Sequence, residues 1–251
     1  MTSISSRDSF TPLAQNTFDS HVLLRSALTA QQVQGTDQSA NLYWQSFYSR
    51  QKQQMPPSQF AAFVACEFKD HKLFMDIGCG NGRDSLFFSY QGHDVIGIDK
   101  SAAAIEFCQS QMISTPNLKS AFINADISEL DLNSPLLKSA QPVPKIFYSR
   151  FFLHAIEENK ENEMFEFIKQ MGVHARDMVA LEFRTEEDSN NPKLAQAHFR
   201  RFINPGQLVS KLKDRFGFEI LYQVQGYGMA KYATEDAHVC RIIARVNAQT
   251  S

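Results

Sequence analysis

The sequence predicts an α/β fold in which a mostly parallel sheet carries helices on both faces. Short apolar runs of strand length recur from Lys72 to Phe183 and alternate with helical patterns of moderate length, as repeated strand–helix units do. A glycine-rich turn joins the first run to the first of these helices. Two more apolar runs close the chain with no helix between them, which predicts an antiparallel hairpin at the end of the sheet.

Residues 1–40 are rich in Ser, Thr, Gln and Asn and bury little area, so they read as a mobile arm ahead of one domain over 41–251. Within the arm, HVLLRSALTAQQ has the pattern of a short amphipathic segment. Composition changes at YWQSFY, where Tyr43, Trp44 and Tyr48 suit either a lid over a substrate or a helix buried against the sheet. Ser58 can cap the helical run that follows Pro56 and Pro57. The predicted strands are KLFMDIG, DVIGID, SAFINA, KIFYSR, MVALEF, FEILYQV and VCRIIARV. Between them, Ser101 caps a helix with Ile105, Cys108 and Met112 on one face, and Met164, Phe165, Ile168 and Met171 form the apolar face of another. That second helix opens on glutamates, which favour the positive end of its dipole. Asn204 and Pro205 open a further helix, which Gly217 stops.

With 251 residues, 43% hydrophobic and 21% charged, the chain can bury a substantial core. A formal net charge of -2 lacks the basic excess that a row of phosphates requires, so no nucleic-acid partner is expected. Cys66, Cys79, Cys108 and Cys240 are scattered without the paired spacing of a zinc or redox site, which fits a reduced cytoplasmic protein with no metal. No secretory leader and no apolar stretch of membrane-spanning length is present, so membrane insertion is not expected. A homo-oligomer stays open.

The strongest local signal is Asp76-Ile-Gly78-Cys-Gly80-Asn-Gly82-Arg83-Asp84, at the junction of strand and helix. Glycines there let the backbone turn sharply and approach a ligand. The next strand ends in Asp99, placed to accept hydrogen bonds from ribose hydroxyls. A dinucleotide loop runs G-x-G-x-x-G onto a pyrophosphate; here the glycines run G-x-G-x-G and Asp76 precedes them. That carboxylate opposes a pyrophosphate but can hold an ammonium, directly or through water. S-adenosylmethionine has an ammonium and a ribose and lacks phosphate. Asp126 ends the third strand, where its carboxylate can accept from an adenine amino group with Ile127 against the ring, or can simply cap a helix. Arg83, Lys100 and Ser149 adjoin these positions and complete the candidate cofactor set.

MDIGCGNGRDS, GHDVIGIDKS and NADI in this order resemble the motif series of class I S-adenosylmethionine-dependent methyltransferases, over about residues 43 to 246. GCGNGRDSLFF with IDKS is especially similar to the tellurite-resistance and thiopurine branches. The resemblance implies a Rossmann-like seven-stranded sheet with its last strand antiparallel. It also implies that Asp76, Gly78, Gly80 and Gly82 cradle the methionine end, Asp99 the ribose, and Asp126 with Ile127 the adenine, with S-adenosylhomocysteine as product.

The methyl acceptor is expected beyond KIFYSR. Methylases of exocyclic base nitrogens carry an Asn or Asp, two prolines and an aromatic there, whereas this chain has Tyr148-Ser149-Arg150-Phe151. His154 stands just past the strand and His198 in HFRRFINP, as candidate proton acceptors; a packing role for His154 is the other reading. Arg150, Arg184, Arg200, Arg201 and Tyr48 form the candidate acceptor site; the adjacent guanidiniums of Arg200 and Arg201 beside His198 suit a carboxylate, phosphate or sulfate, and their alternative is pairing with Glu186, Glu187 and Asp188. HFRRFINP, the YWQSFY entry and EDAHVCRIIARV look similar to methyltransferases of bacterial surface-polysaccharide synthesis, which implies a small-molecule or glycan acceptor, anionic or phosphorylated. Three other readings stand beside this one: chalcogen or thiol methylation, which needs no base, a non-catalytic cofactor-binding module, and a nicotinamide oxidoreductase.

Overall fold

The computed structural model describes residues 37–50, 53–70, 73–115, 119–194 and 198–247; most of the expected arm, with its amphipathic segment, lies outside them. Its elements follow the sequence closely. Helices α1 (Asp37–Ser49) and α2 (Gln59–Glu67) precede β1 (Leu73–Ile77), α3 (Arg83–Tyr90), β2 (Asp94–Asp99), α4 (Ala102–Ser114) and β3 (Ser120–Asn124). Then come α5 (Pro135–Ala140), β4 (Lys145–Arg150), α6 (Glu158–Met171), β5 (Met178–Arg184), α7 (Pro205–Asp214), β6 (Glu219–Gly226) and β7 (Val239–Arg245). The predicted caps are made: Ser58 accepts from the Ala61 N–H, Ser101 from Ala104 and Asn204 from Gln207. Helix α1 begins at Asp37, inside the segment the sequence assigns to the arm, and the short α5 was not foreseen.

The seven strands lie in the order β3-β2-β1-β4-β5-β7-β6. All neighbours are parallel except β7, which runs antiparallel to both β5 and β6. The expected Rossmann-like seven-stranded sheet with an antiparallel last strand is what forms. Alternation along each strand divides the core between the two faces. Met75, Phe147, Leu181 and Ile242 pack with Phe165, Ile168 and Leu212 of α6 and α7, while Phe74, Tyr148, Ala180 and Ile243 pack with Phe60, Val64 and Phe88 of α2 and α3. Each fully buried aromatic contributes about 1.5–3 kcal/mol by leaving water.

Chain order reverses between β1 and β4, and a sheet of this type opens its crevice beyond the carboxyl ends of the strands at such a reversal. The glycine turn follows β1 and SRFF ends β4, so both border that crevice. No helix of the described residues is long and apolar enough to cross a membrane.

Candidate functional site

Gly78, Gly80 and Gly82 all have left-handed backbone, with φ of 75°, 53° and 73°. A side chain at Gly78 or Gly80 would be strained on that count and would also collide: a Cβ at Gly78 falls 2.3 Å from the Phe152 ring, and one at Gly80 falls 2.3 Å from the Tyr48 hydroxyl. The turn is fastened by the Gly78 and Cys79 N–H groups, which donate to the Ile98 carbonyl at 2.8 and 3.1 Å. Ser149 is buried and donates its hydroxyl to the Ile77 carbonyl at 2.9 Å, so it ties β4 to β1.

The three acids stand at the ends of β1, β2 and β3. Asp76 is buried and accepts from Ser85 Oγ at 2.5 Å; burial pushes its carboxyl up to about 8, with Asp84 and Asp99 adding to the effect against the Ser85 bond. Asp99 takes the Gly80 N–H at 2.9 Å and the Ser101 N–H at 2.8 Å. Burial raises its carboxyl too, against those two bonds. Asp126 caps the 3-10 turn of Ile127–Glu129, its Oδ1 accepting from the Ser128 N–H and hydroxyl and from Lys160. Its pKa is lowered: partial burial opposes, but the bonds from Ser128 and the Lys160 ammonium prevail. The cap and the cleft position coexist, since the cap bonds use Oδ1, while Oδ2 lies 4.0 Å from Lys100 Nζ and Asp126 lines the cleft. Asp99, Lys100, Asp126 and Ile127 line one narrow cleft with Gly78, Ile98, Phe152 and Lys160. Arg83 does not border it; its Nε donates to the Pro56 carbonyl at 2.9 Å. A second groove, walled by Glu166, Lys169 and Val173 near the start of β5, lies at the opposite ends of the strands.

Helix α1 packs on α4 and brings its aromatics to the glycine turn. Tyr48, expected at the acceptor, instead lies over Gly80, and burial raises its hydroxyl well above the usual range, with Asp99, Cys79, Cys108 and Asp76 adding to this. Tyr43 stacks on His198 with centroids 4.2 Å apart, and Trp44 meets the same ring edge-on at 5.2 Å.

At the mouth beyond β4, Phe151 has φ of 57°, a strained backbone for a non-glycine residue. Its N–H donates to the Glu182 carbonyl at 2.8 Å, and the Arg150 and Arg184 guanidiniums lie 4.1 and 5.1 Å from its ring centroid. Most of the arginines expected to bind an acceptor already hold carboxylates of the protein. Arg150 donates to Glu182 at 2.8 Å, and Glu182 also receives Arg241 at 2.7 Å. Arg184 pairs with Asp188 at 2.6 Å and with Glu235. Arg201 pairs with Glu161 at 2.5 Å and donates to the Leu153 and Ile156 carbonyls, so its partner is not the acidic trio the sequence suggests. Arg200 differs: its Nε is buried with no hydrogen-bond partner, and Nη2 lies 3.2 Å from His198 Nε2.

Both candidate bases are engaged. His154 is buried, and its Nδ1 lies 3.3 Å from the Arg184 backbone N–H; that group only donates, so Nδ1 is the acceptor and the ring proton sits on Nε2. Burial holds His154 well below the usual imidazole range, reinforced by Arg184, Arg200, His198 and Arg150. By the same logic His198 Nε2 accepts from the Arg200 guanidinium. The packing reading of His154 thus fits its geometry better than that of a general base.

The family model described as tellurite resistance protein TehB matches residues 44–172, more than half of the chain. The chain belongs to the TehB family. Among solved structures, similar folds include the TehB-like S-adenosylmethionine-dependent methyltransferase of Corynebacterium glutamicum (TM-score 0.55, 15% identity, 76% of this chain and 88% of that one). They also include TehB from Haemophilus influenzae (0.57, 17%, 81% and 67%) and the glycopeptide N-methyltransferase MtfA crystallised with S-adenosylmethionine (0.59, 13%, 76% and 95%). No curated protein matches the chain.

The TehB-family match ends at the close of α6, so it spans the glycine turn, the three acids and His154 but not Arg184, His198 or Arg200. Within that span the structure adds residues that sequence reasoning missed. Phe152 covers Gly78, Lys160 reaches Asp126 at 3.3 Å, and Gln45 bonds the start of α4. Only Phe152 carried a signal, as the second aromatic directly after a strand end. Lys160 and Gln45 are 34 and 56 residues from their partners Asp126 and Ser101, so no local pattern marks them.

Proposed function

We propose that the protein transfers a methyl group from S-adenosylmethionine to a small anionic acceptor at the carboxyl ends of β1, β4 and β5. The observation that carries the cofactor reading is the pair of carboxylates, Asp99 and Asp126, on the cleft wall, with Asp76 buried at the end of β1 just ahead of a left-handed glycine turn that leaves no room for a Cβ. Acceptor groups in these places suit a ligand with an ammonium, a ribose and an adenine amino group better than a nicotinamide dinucleotide, whose pyrophosphate they would not attract. Gly78, Gly80 and Asp76 would hold the methionine end. Asp99 retains lone pairs for ribose hydroxyls, and Asp126 Oδ2 with Ile127 would meet the adenine. When bound, the cofactor supplies a methyl group on a positively charged sulfonium, already activated for displacement. The chain's own contribution is then alignment and exclusion of water, with Phe152 and Tyr48 closing over the turn.

For the acceptor, the support is Arg200, the one mouth guanidinium among the described residues with a buried donor left over, its Nη2 on His198. A buried, unpaired donor is costly unless a ligand satisfies it. Because both histidine nitrogens that accept are already engaged, the site favours acceptors that arrive ionised, including thiolates and chalcogen oxyanions as well as carboxylates and phosphates. Glycan acceptors fit through such an anionic group.

Calorimetric titration with S-adenosylmethionine and S-adenosylhomocysteine tests the cofactor assignment: micromolar binding that Asp99→Ala abolishes is expected, and a wild-type protein that binds neither overturns it. Release of S-adenosylhomocysteine with anionic acceptors then separates catalysis from mere binding. Arg200→Ala should raise the acceptor KM at least tenfold with kcat little changed, and an unaltered KM removes Arg200 from the acceptor site.

A further inference from the structure

We propose that Gln45 is a positioning residue that couples docking of α1 to occupation of the cofactor cleft, an inference that rests on the cofactor reading above. Its Oε1 accepts two hydrogen bonds from the start of α4, from the Ala103 N–H at 2.9 Å and from Ser101 Oγ at 3.0 Å. Ser101 already caps α4 by accepting from the Ala104 N–H, and its own N–H goes to Asp99 Oδ1 at 2.8 Å. Asp99 Oδ2 in turn takes the Gly80 N–H. One unbroken polar chain therefore runs from the glycine turn through the candidate ribose carboxylate and Ser101 to a side chain of α1.

Three residues further along α1, on the same face, Tyr48 sets its hydroxyl over Gly80. Helix α1 thus touches the cleft at two points, the ribose carboxylate through Ser101 and the turn through Tyr48. A ligand that engages Asp99 fixes Ser101, and a fixed Ser101 holds Gln45; by reciprocity, a docked α1 favours the ligand. Gln45 touches neither ligand nor reacting atoms in this scheme and acts through Ser101.

Neighbouring Trp44 is the only tryptophan of the chain and stacks on Tyr48 with centroids 5.8 Å apart, so its emission reports the state of α1. The test compares wild type with Gln45→Met, which keeps side-chain length but removes the acceptor, and with Gln45→Glu, which restores an acceptor. Each is titrated with S-adenosylhomocysteine by calorimetry and by Trp44 emission. Expected are an emission change on binding in wild type, a Kd about tenfold higher with a diminished emission change in Gln45→Met, and recovery to within about threefold of wild type in Gln45→Glu. Equal affinity in all three proteins overturns the proposal, as does an equal loss in the Met and Glu variants, which assigns the effect to packing. If Gln45→Met does not fold, Gln45→Ala is read in its place by the same criteria. A wild-type protein that fails to bind overturns the cofactor reading itself, and this inference with it; a wild type that binds normally beside an indifferent Gln45 variant overturns this inference alone.

Discussion

Burial pushes the Asp76 carboxyl up to about 8, so the side chain is largely protonated at neutral pH before a ligand arrives. A cationic ammonium beside it favours the ionised form, so binding of S-adenosylhomocysteine at pH 7 should release most of one proton, read as a dependence of calorimetric enthalpy on buffer ionisation. No buffer dependence would place the ammonium elsewhere. The same shift bears on stability. An acid whose folded pKa is raised stabilises the fold most below its ordinary value near 4 and loses that contribution as pH rises to about 8. Asp76→Asn should therefore gain on wild type in thermal stability across that window in the absence of ligand, while binding cofactor more weakly. His154 has the opposite linkage. Its folded pKa is depressed by burial and by the surrounding cations, so the neutral ring contributes stability above pH 6.5 that is lost as pH falls below it. His154→Asn, which keeps an acceptor for the Arg184 N–H, should flatten the fall in Tm between pH 6.5 and 5; parallel curves for the two proteins would mean the ring is not held neutral.

At the scale of elements, Glu182 ties three adjacent strands together. Its fully buried carboxylate receives Arg150 of β4 at 2.8 Å and Arg241 of β7 at 2.7 Å. Removing its charge leaves two largely buried guanidiniums without their counterion, which costs about 3–5 kcal/mol where a buried pair is broken. Glu182→Gln should lose stability of that order in urea unfolding while the m-value stays constant; a loss under about 1 kcal/mol would mean that solvent screens both arginines. The elements themselves were legible in the sequence because their signals are local. Ser58, Ser101 and Asn204 announce helix starts by a side-chain oxygen within three residues of the N–H it caps, and each cap is made. Helix α5 gave too little periodicity in six residues to be read, and α1 was hidden because its aromatics pack around His198, far along the chain, and not on a regular apolar face.

For the whole molecule, a ligand that binds only the folded state adds about 2.7 kcal/mol at a hundred times its Kd, which shifts Tm by roughly 5–10 °C in a domain of this size. S-adenosylhomocysteine should produce such a shift in wild type and not in Asp99→Ala, by scanning calorimetry; an equal shift in both would remove Asp99 from the cleft.

By itself the sequence determined the sheet, its antiparallel last strand, the glycine turn and the three acids at the strand ends, because alternation, caps and turn chemistry act over a few residues and the strand ends inherit their places from them. Only the tertiary structure decided what the charges at the mouth do. Arg150, Arg184 and Arg201 are as basic in the sequence as Arg200, yet the first three meet Glu182, Glu235 and Glu161, each more than thirty residues away, and Arg200 alone of the four keeps a buried donor without a partner. The same holds for His154, whose tautomer is set by a backbone N–H thirty residues away. Pairing of charges and choice of proton depend on which groups the packed core brings within about 3 Å, and that distance is not encoded in spacing along the chain.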